Sequence, residues 1–132
     1  MTVEKTLQIV LCVVAVSSGC GSPARYAAER RAGMLAEFPP GTTSRADVRV
    51  KWGHDPDFSE VRPAAGWSAH PWPAVAARAL TAERRSGQLV ARIERYSGPD
   101  LATSSFLSLH RGWYFYDAAN VVVDVDWEYM SD

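Results

Sequence analysis

From Val121 to Tyr129 the chain alternates strictly. Val121, Val123, Val125, Trp127 and Tyr129 fall on one side, and Val122, Asp124, Asp126 and Glu128 on the other. A period of two in β-branched and aromatic residues predicts a half-buried strand. Upstream, Trp113 and Phe115 share one face while Tyr114 and Tyr116 share the other. Loop length decides which faces meet. A two-residue loop would set Trp113 opposite Asp124. A three-residue loop, Ala118-Ala119-Asn120, pairs Asp117 with Val121, Phe115 with Val123, Trp113 with Val125 and Arg111 with Trp127. Asn tolerates the left-handed conformation that such a loop wants at its third position. Asp117 suits the first position of its type I turn. The pattern therefore predicts a hairpin with Trp113, Phe115, Val123, Val125 and Trp127 on its core face. Such a hairpin needs a cover, because two strands alone are marginal.

The other elements supply that cover. Ser22-Pro23 can open a helix over Ala24–Glu37, with a weak stripe of Ala27, Arg31, Met34, Leu35 and Phe38. Pro39-Pro40-Gly41 ends it, and the segment reads as a short helix or tether. Ser44 and Asp47 resemble a capping box, Val48, Lys51 and Trp52 would share a face, and Gly53 is a natural stop. Residues 58–72, with Phe58, Trp67, His70 and Trp72, read as a loop on the domain edge. Pro73 opens a helix to about Ser86, and Gly87 caps it. Residues 90–97 then predict a strand, 97–100 a turn, Ser105–Asp117 the next strand and Val121–Met130 the last. The expected fold is α+β, with short helices packed on one face of a small three-stranded antiparallel sheet.

The N-terminal pattern is of another kind. Residues 1–19, MTVEKTLQIVLCVVAVSSG, carry Lys5, an apolar run from Leu7 to Val16, and then small residues before Cys20. The run is short for a bilayer span and fits the core of a signal peptide. It resembles a bacterial lipoprotein signal. In that family the peptidase cuts before the cysteine, whose thiol and new amino group are acylated. The resemblance implies a lipidated Cys20 and an envelope location facing the periplasm. The alternative is simple secretory cleavage and a soluble exported product. Of the two cysteines, Cys12 would leave with the signal, so Cys20 could form no intrachain disulfide. Gly21 follows the cysteine where the inner-membrane retention signal of Gram-negative lipoproteins has Asp, which permits outer-membrane sorting. The expected organisation is a signal peptide over 1–19, a lipidated N-terminus and helical tether over 20–40, and a domain over 41–132 with an inserted loop and helix at about 58–87.

Across its 132 residues the chain balances 14 basic against 15 acidic groups, so no nucleic-acid footprint is visible. The length suits one domain with a modest core. Five tryptophans point to aromatic packing or a contact surface.

A second resemblance rests on the domain itself. The Gly-x-Thr-like turn at 41–43, the short helix around Val48, the Trp52-Gly53 exit with Pro56 beyond, the pair Trp113-Tyr114 and the last strand, Val121–Val125, look like the SmpA/OmlA domain. That is the fold of BamE, a lipoprotein of the outer-membrane β-barrel assembly machinery; a related architecture occurs in β-lactamase inhibitor proteins. Ser44 would take the place of the family's Thr cap, Val48 of its core Val, and Trp52 of its Leu. The resemblance implies a fold and a non-catalytic role in protein contact, not membership of that machinery.

Candidate chemistry is sparse. His54, Asp55 and Asp57 form a local His/carboxylate cluster without the spacing of a metal site. His110 would face Glu128 across the hairpin, in reach of a cross-strand pair. Asp124, Asp126 and Glu128 make an acidic ladder that suits either a polar face or calcium. The serines lack a nucleophile-elbow context. The expectation is no catalytic residue, no metal and no cofactor. Tyr114, Tyr116, His110 and Glu128 would instead form a partner-binding face left open by helices on the other side. The expected partners are the membrane, through acylated Cys20, and another envelope protein or a soluble ligand, with no nucleic acid.

Overall fold

The hairpin turn forms as its sequence predicts in the computed structural model, which describes residues 23–100 and 105–130. Asn120 takes the left-handed conformation, φ 61°. The Asp117 carboxylate accepts from the amides of Ala119 and Val121, and the Asp117 amide donates to the Val121 carbonyl at 2.9 Å. These contacts close the three-residue loop.

The register then departs from parity. Tyr116 pairs with Val122, but Phe115 pairs with Asp124, so a bulge adds one residue at Val123. Beyond it Tyr114 faces Val125, Trp113 faces Asp126 and Arg111 faces Glu128. This corrects the expected pairs Phe115–Val123, Trp113–Val125 and Arg111–Trp127. The reason is burial on both sides. The extra residue lets Val122 and Val125 pack with Tyr114 and Tyr116 while Val123 packs with Trp113 and Phe115.

The sheet has four antiparallel strands in the order β1 (Phe58–Val61), β2 (Arg92–Asp100), β3 (Ser105–Tyr116), β4 (Val122–Met130). The expected three-stranded sheet is thus corrected. Phe58–Val61, read as loop, pairs with Arg92–Arg95, and residues 97–100, read as a turn, continue β2. Among the described residues three helices cover this sheet: α1 (Pro23–Glu37), α2 (Arg45–Trp52) and α3 (Pro73–Ser86), with a 3-10 turn at Trp67–Ala69. The fold is α+β, but its helices lie on both faces. Val75, Ala79 and Ala82 of α3 join Trp67, Val90, Ile93, Trp113, Phe115 and Val123 on one side. On the other, Met34 and Leu35 of α1 and Val48 and Trp52 of α2 join Phe38, Tyr96, Tyr114, Tyr116, Val122 and Val125.

Helix α1 is therefore part of the core rather than a tether. Arg31 pins it to β4, donating from Nε to the Val125 carbonyl at 3.0 Å and from Nη2 to Asp124. The chain then zips along the start of β4. Gly41 donates to the Val122 carbonyl, Val122 to that of Thr43, and Arg45 to that of Asn120. This aligns α2, whose ends follow the sequence. Ser44 and Asp47 close a reciprocal capping box, and Gly53 stops the helix at φ 77°. Helix α3 spans the expected residues, with Gly87 left-handed after it.

Candidate functional site

The expected partner face is interior. Tyr114 is 1% exposed and Tyr116 is fully buried, beneath α1 and α2. Their assignment to an open face is corrected, because a second helical layer covers that side. Burial pushes both phenols far above the ordinary tyrosine range, and Glu94 pushes Tyr116 further.

Trp52 is the centre of this layer. Its ring stacks on Tyr96 at 5.4 Å, and its indole N–H donates to the Tyr114 hydroxyl at 2.7 Å. It lies over two glycines of adjacent strands. A Cβ on Gly112 would sit 2.9 Å from the Tyr114 ring and 3.0 Å from Trp52, and one on Gly98 would sit 3.3 Å from Trp52. The two glycines open a window in the sheet surface, and an aromatic fills it.

Beside that cluster sits a fully buried carboxylate, Glu94. Arg45, at the start of α2, holds it with two bonds: Nε to Oε1 at 2.9 Å and Nη2 to Oε2 at 2.8 Å. The Ser59 hydroxyl of β1 donates a third at 2.8 Å. Burial raises the pKa of Glu94, but the bonds from Arg45 and Ser59 and the charges of Arg45 and Arg92 outweigh it. The carboxyl is left below its ordinary value. This buried pair is absent from the expectations above. Its signal was the Ile93-Glu94-Arg95 alternation, which on a one-sided sheet places Glu94 in water.

His110 and Glu128 part company. The bulge sets His110 opposite Tyr129 and Glu128 opposite Arg111. His110 is half-buried, its ring 6.0 Å from that of Trp52 and 6.2 Å from that of Trp127. Glu128 lies on the α3 side, where Arg111 Nη1 donates to it at 3.0 Å and Arg78 Nη2 donates to its other oxygen. Arg78 also bonds Asp126 at 3.1 Å and places its guanidinium over Trp113, 4.7 Å from the ring centre. Asp124, 3% exposed, is held by Arg31. Arginines thus occupy every rung of the acidic ladder.

The cluster after α2 disperses in the same way. The His54 ring bonds the Asp55 carbonyl, the Asp55 carboxylate meets Arg49 at 3.3 Å, and Asp57 accepts from Arg95 and Ser97. Burial raises the Asp57 pKa, but the bonds from Arg95 and Ser97 bring it below the ordinary carboxylate range. Among the described residues no three His, Cys, Asp or Glu side chains are grouped to hold a metal ion. None of the described helices is long and apolar enough to cross a membrane. Cys20 and the 1–19 segment lie outside the described residues.

The described surface also carries a large exposed aromatic against the β1 edge of the sheet. Trp72 is 56% exposed and packs on Phe58 of β1 at 5.6 Å. No family model, curated protein or solved structure matches the chain.

Proposed function

We propose that the protein is an exported lipoprotein of the bacterial cell envelope, anchored through acylated Cys20, whose α+β domain works by protein contact without catalysis. The carrying observation is the N-terminal sequence: an apolar run, the small residues Ser17, Ser18 and Gly19, and then Cys20. One acyl chain holds a protein to a membrane only marginally, whereas two or more hold it stably. The resemblance to the SmpA/OmlA domain extends this reading to a BamE-like fold and to outer-membrane assembly as a setting. The four-stranded sheet covered on both faces is the architecture against which that likeness should be judged. The test is globomycin treatment together with Cys20→Ala in the native host. Precursor accumulation and loss from the membrane fraction are expected. If precursor size and partitioning stay the same under both, the lipoprotein reading fails.

With Tyr114 and Tyr116 buried, the protein-contact role rests on Trp72. Trp72 is large, exposed and braced by Phe58, and Trp is favoured at contact hot spots. An envelope crosslinking experiment comparing wild type with Trp72→Ala tests it. One neighbour should be lost while membrane partitioning is kept. An unchanged set of neighbours sinks the assignment.

A further inference from the structure

Helix α1 begins at Pro23, three residues after Cys20. Three Cα steps reach at most about 11 Å. The helix is also fixed to the sheet along its length. Tyr26 packs edge-on against Trp127 at 5.3 Å, Arg31 bonds the Val125 carbonyl, and Phe38, just past its end, packs on Tyr114 at 5.2 Å. It therefore runs antiparallel to β4, and its start shares an end of the sheet with the last residues of β4. Through the pairs His110–Tyr129 and Leu109–Met130, the start of β3 lies at that end too.

The chemistry of that end is distinctive. Tyr26 is 42% exposed. The Arg30 guanidinium lies 5.9 Å from the Tyr26 ring and 5.8 Å from that of Trp127. In the first three turns of α1, Arg25 pairs with Glu29 at 3.0 Å and Arg31 with Asp124, while Arg30 lies over the two aromatics of this end. Tyr, Trp and Arg are the side chains that settle at headgroup level, with ring or stem toward the acyl chains. Basic residues there also attract anionic headgroups.

We propose that this end of the domain, with Tyr26 as the contacting aromatic, sits directly on the phospholipid headgroups beside the acylated cysteine. This deepens the lipoprotein reading and rests on it. The domain then takes one orientation, with the opposite end of the sheet pointing away from the bilayer.

The test uses the acylated full-length protein in vesicles of zwitterionic and anionic phospholipid carrying a headgroup-linked acceptor dye. Acylation consumes the Cys20 thiol, so one introduced cysteine can carry the donor. Ser97→Cys places it on β2 opposite Arg111, toward the proposed contact. Leu89→Cys places it beyond the other end of β2, at an exposed position. The five steps of strand from Arg92 to Ser97 alone separate the two sites by about 16 Å, and transfer should be about twofold stronger from Ser97→Cys. Tyr26→Glu, at an exposed position, should weaken that preference while circular dichroism stays unchanged. Equal transfer from both sites, with the protein still bound to vesicles, overturns the seated orientation and leaves the anchor standing. An acylated protein that fails to float with the vesicles overturns the anchor and the orientation together.

Discussion

Tyr114 and Tyr116 look alike in the strand but differ in what their hydroxyls meet. The Tyr114 hydroxyl accepts from Trp52, whereas that of Tyr116 has no hydrogen-bond partner among the described residues. Removing a satisfied bond costs about 1 kcal/mol, whereas removing an unsatisfied buried hydroxyl is nearly neutral or stabilising. Tyr114→Phe should therefore lower stability more than Tyr116→Phe, as read by urea melts. Truncating either to alanine should be far worse, by about 3–5 kcal/mol, as for other buried aromatics. The buried ion pair gives a second test at this scale. Arg45→Ala strands the buried Glu94 with Ser59 as its main remaining donor, and because the Arg45 side chain is itself 30% exposed the loss should be smaller than the about 3–5 kcal/mol of a pair buried on both sides. Adding Glu94→Gln to Arg45→Ala should recover part of that loss, because the remaining group is no longer charged. If the double variant is no more stable than Arg45→Ala, the Glu94 charge does not depend on Arg45.

At the level of elements, the local signals proved most legible. The capping box of α2, the glycines after α2 and α3, and the left-handed Asn120 each depend on a few neighbouring residues, and each sits where its chemistry predicts. Ser44→Ala should cost about 1 kcal/mol through lost capping. What could not be read locally was the second cover. Trp113-Tyr114-Phe115-Tyr116 is four consecutive aromatics, a pattern of a strand buried on both faces rather than one. Taking alternation as the guide turned Tyr114 and Tyr116 outward and left Glu94 in water. The bulge at Val123 is invisible to parity for the same reason, since it exists to serve two cores at once. Strand β1 has only four residues and derives its pairing from β2, so it lacked a periodic signature. The glycine window was legible only in part. Gly98 and Gly112 interrupt strand patterns, but nothing in the sequence links them to Trp52. Gly112→Ala should be destabilising by about 1–3 kcal/mol, the usual cost of forcing atoms into filled space.

For the whole molecule, stability should depend on pH at both extremes. Glu94 and Asp57 have folded-state pKa values below their ordinary ones. Their contribution is full above the unfolded value, 4.5 for Glu94, and is lost as pH falls through the lower folded value. Tyr96, Tyr114 and Tyr116 are raised above the ordinary 10.0. Their contribution is full below that value and is lost as pH climbs past it, because only the unfolded chain ionises freely. Melting temperature should thus hold a plateau between about pH 5 and pH 9 and fall on both sides. A steady decline across neutral pH would contradict this.

In the proposed lipoprotein, Cys20 fastens the sheet and its two helical layers to a membrane. Mass spectrometry of the N-terminal peptide, taken from protein extracted from native membranes, tests this anchoring. The expected result is a chain beginning at Cys20 and carrying acyl mass on that residue. A chain that begins elsewhere, or that begins at Cys20 with a free thiol and a free amine, would contradict it.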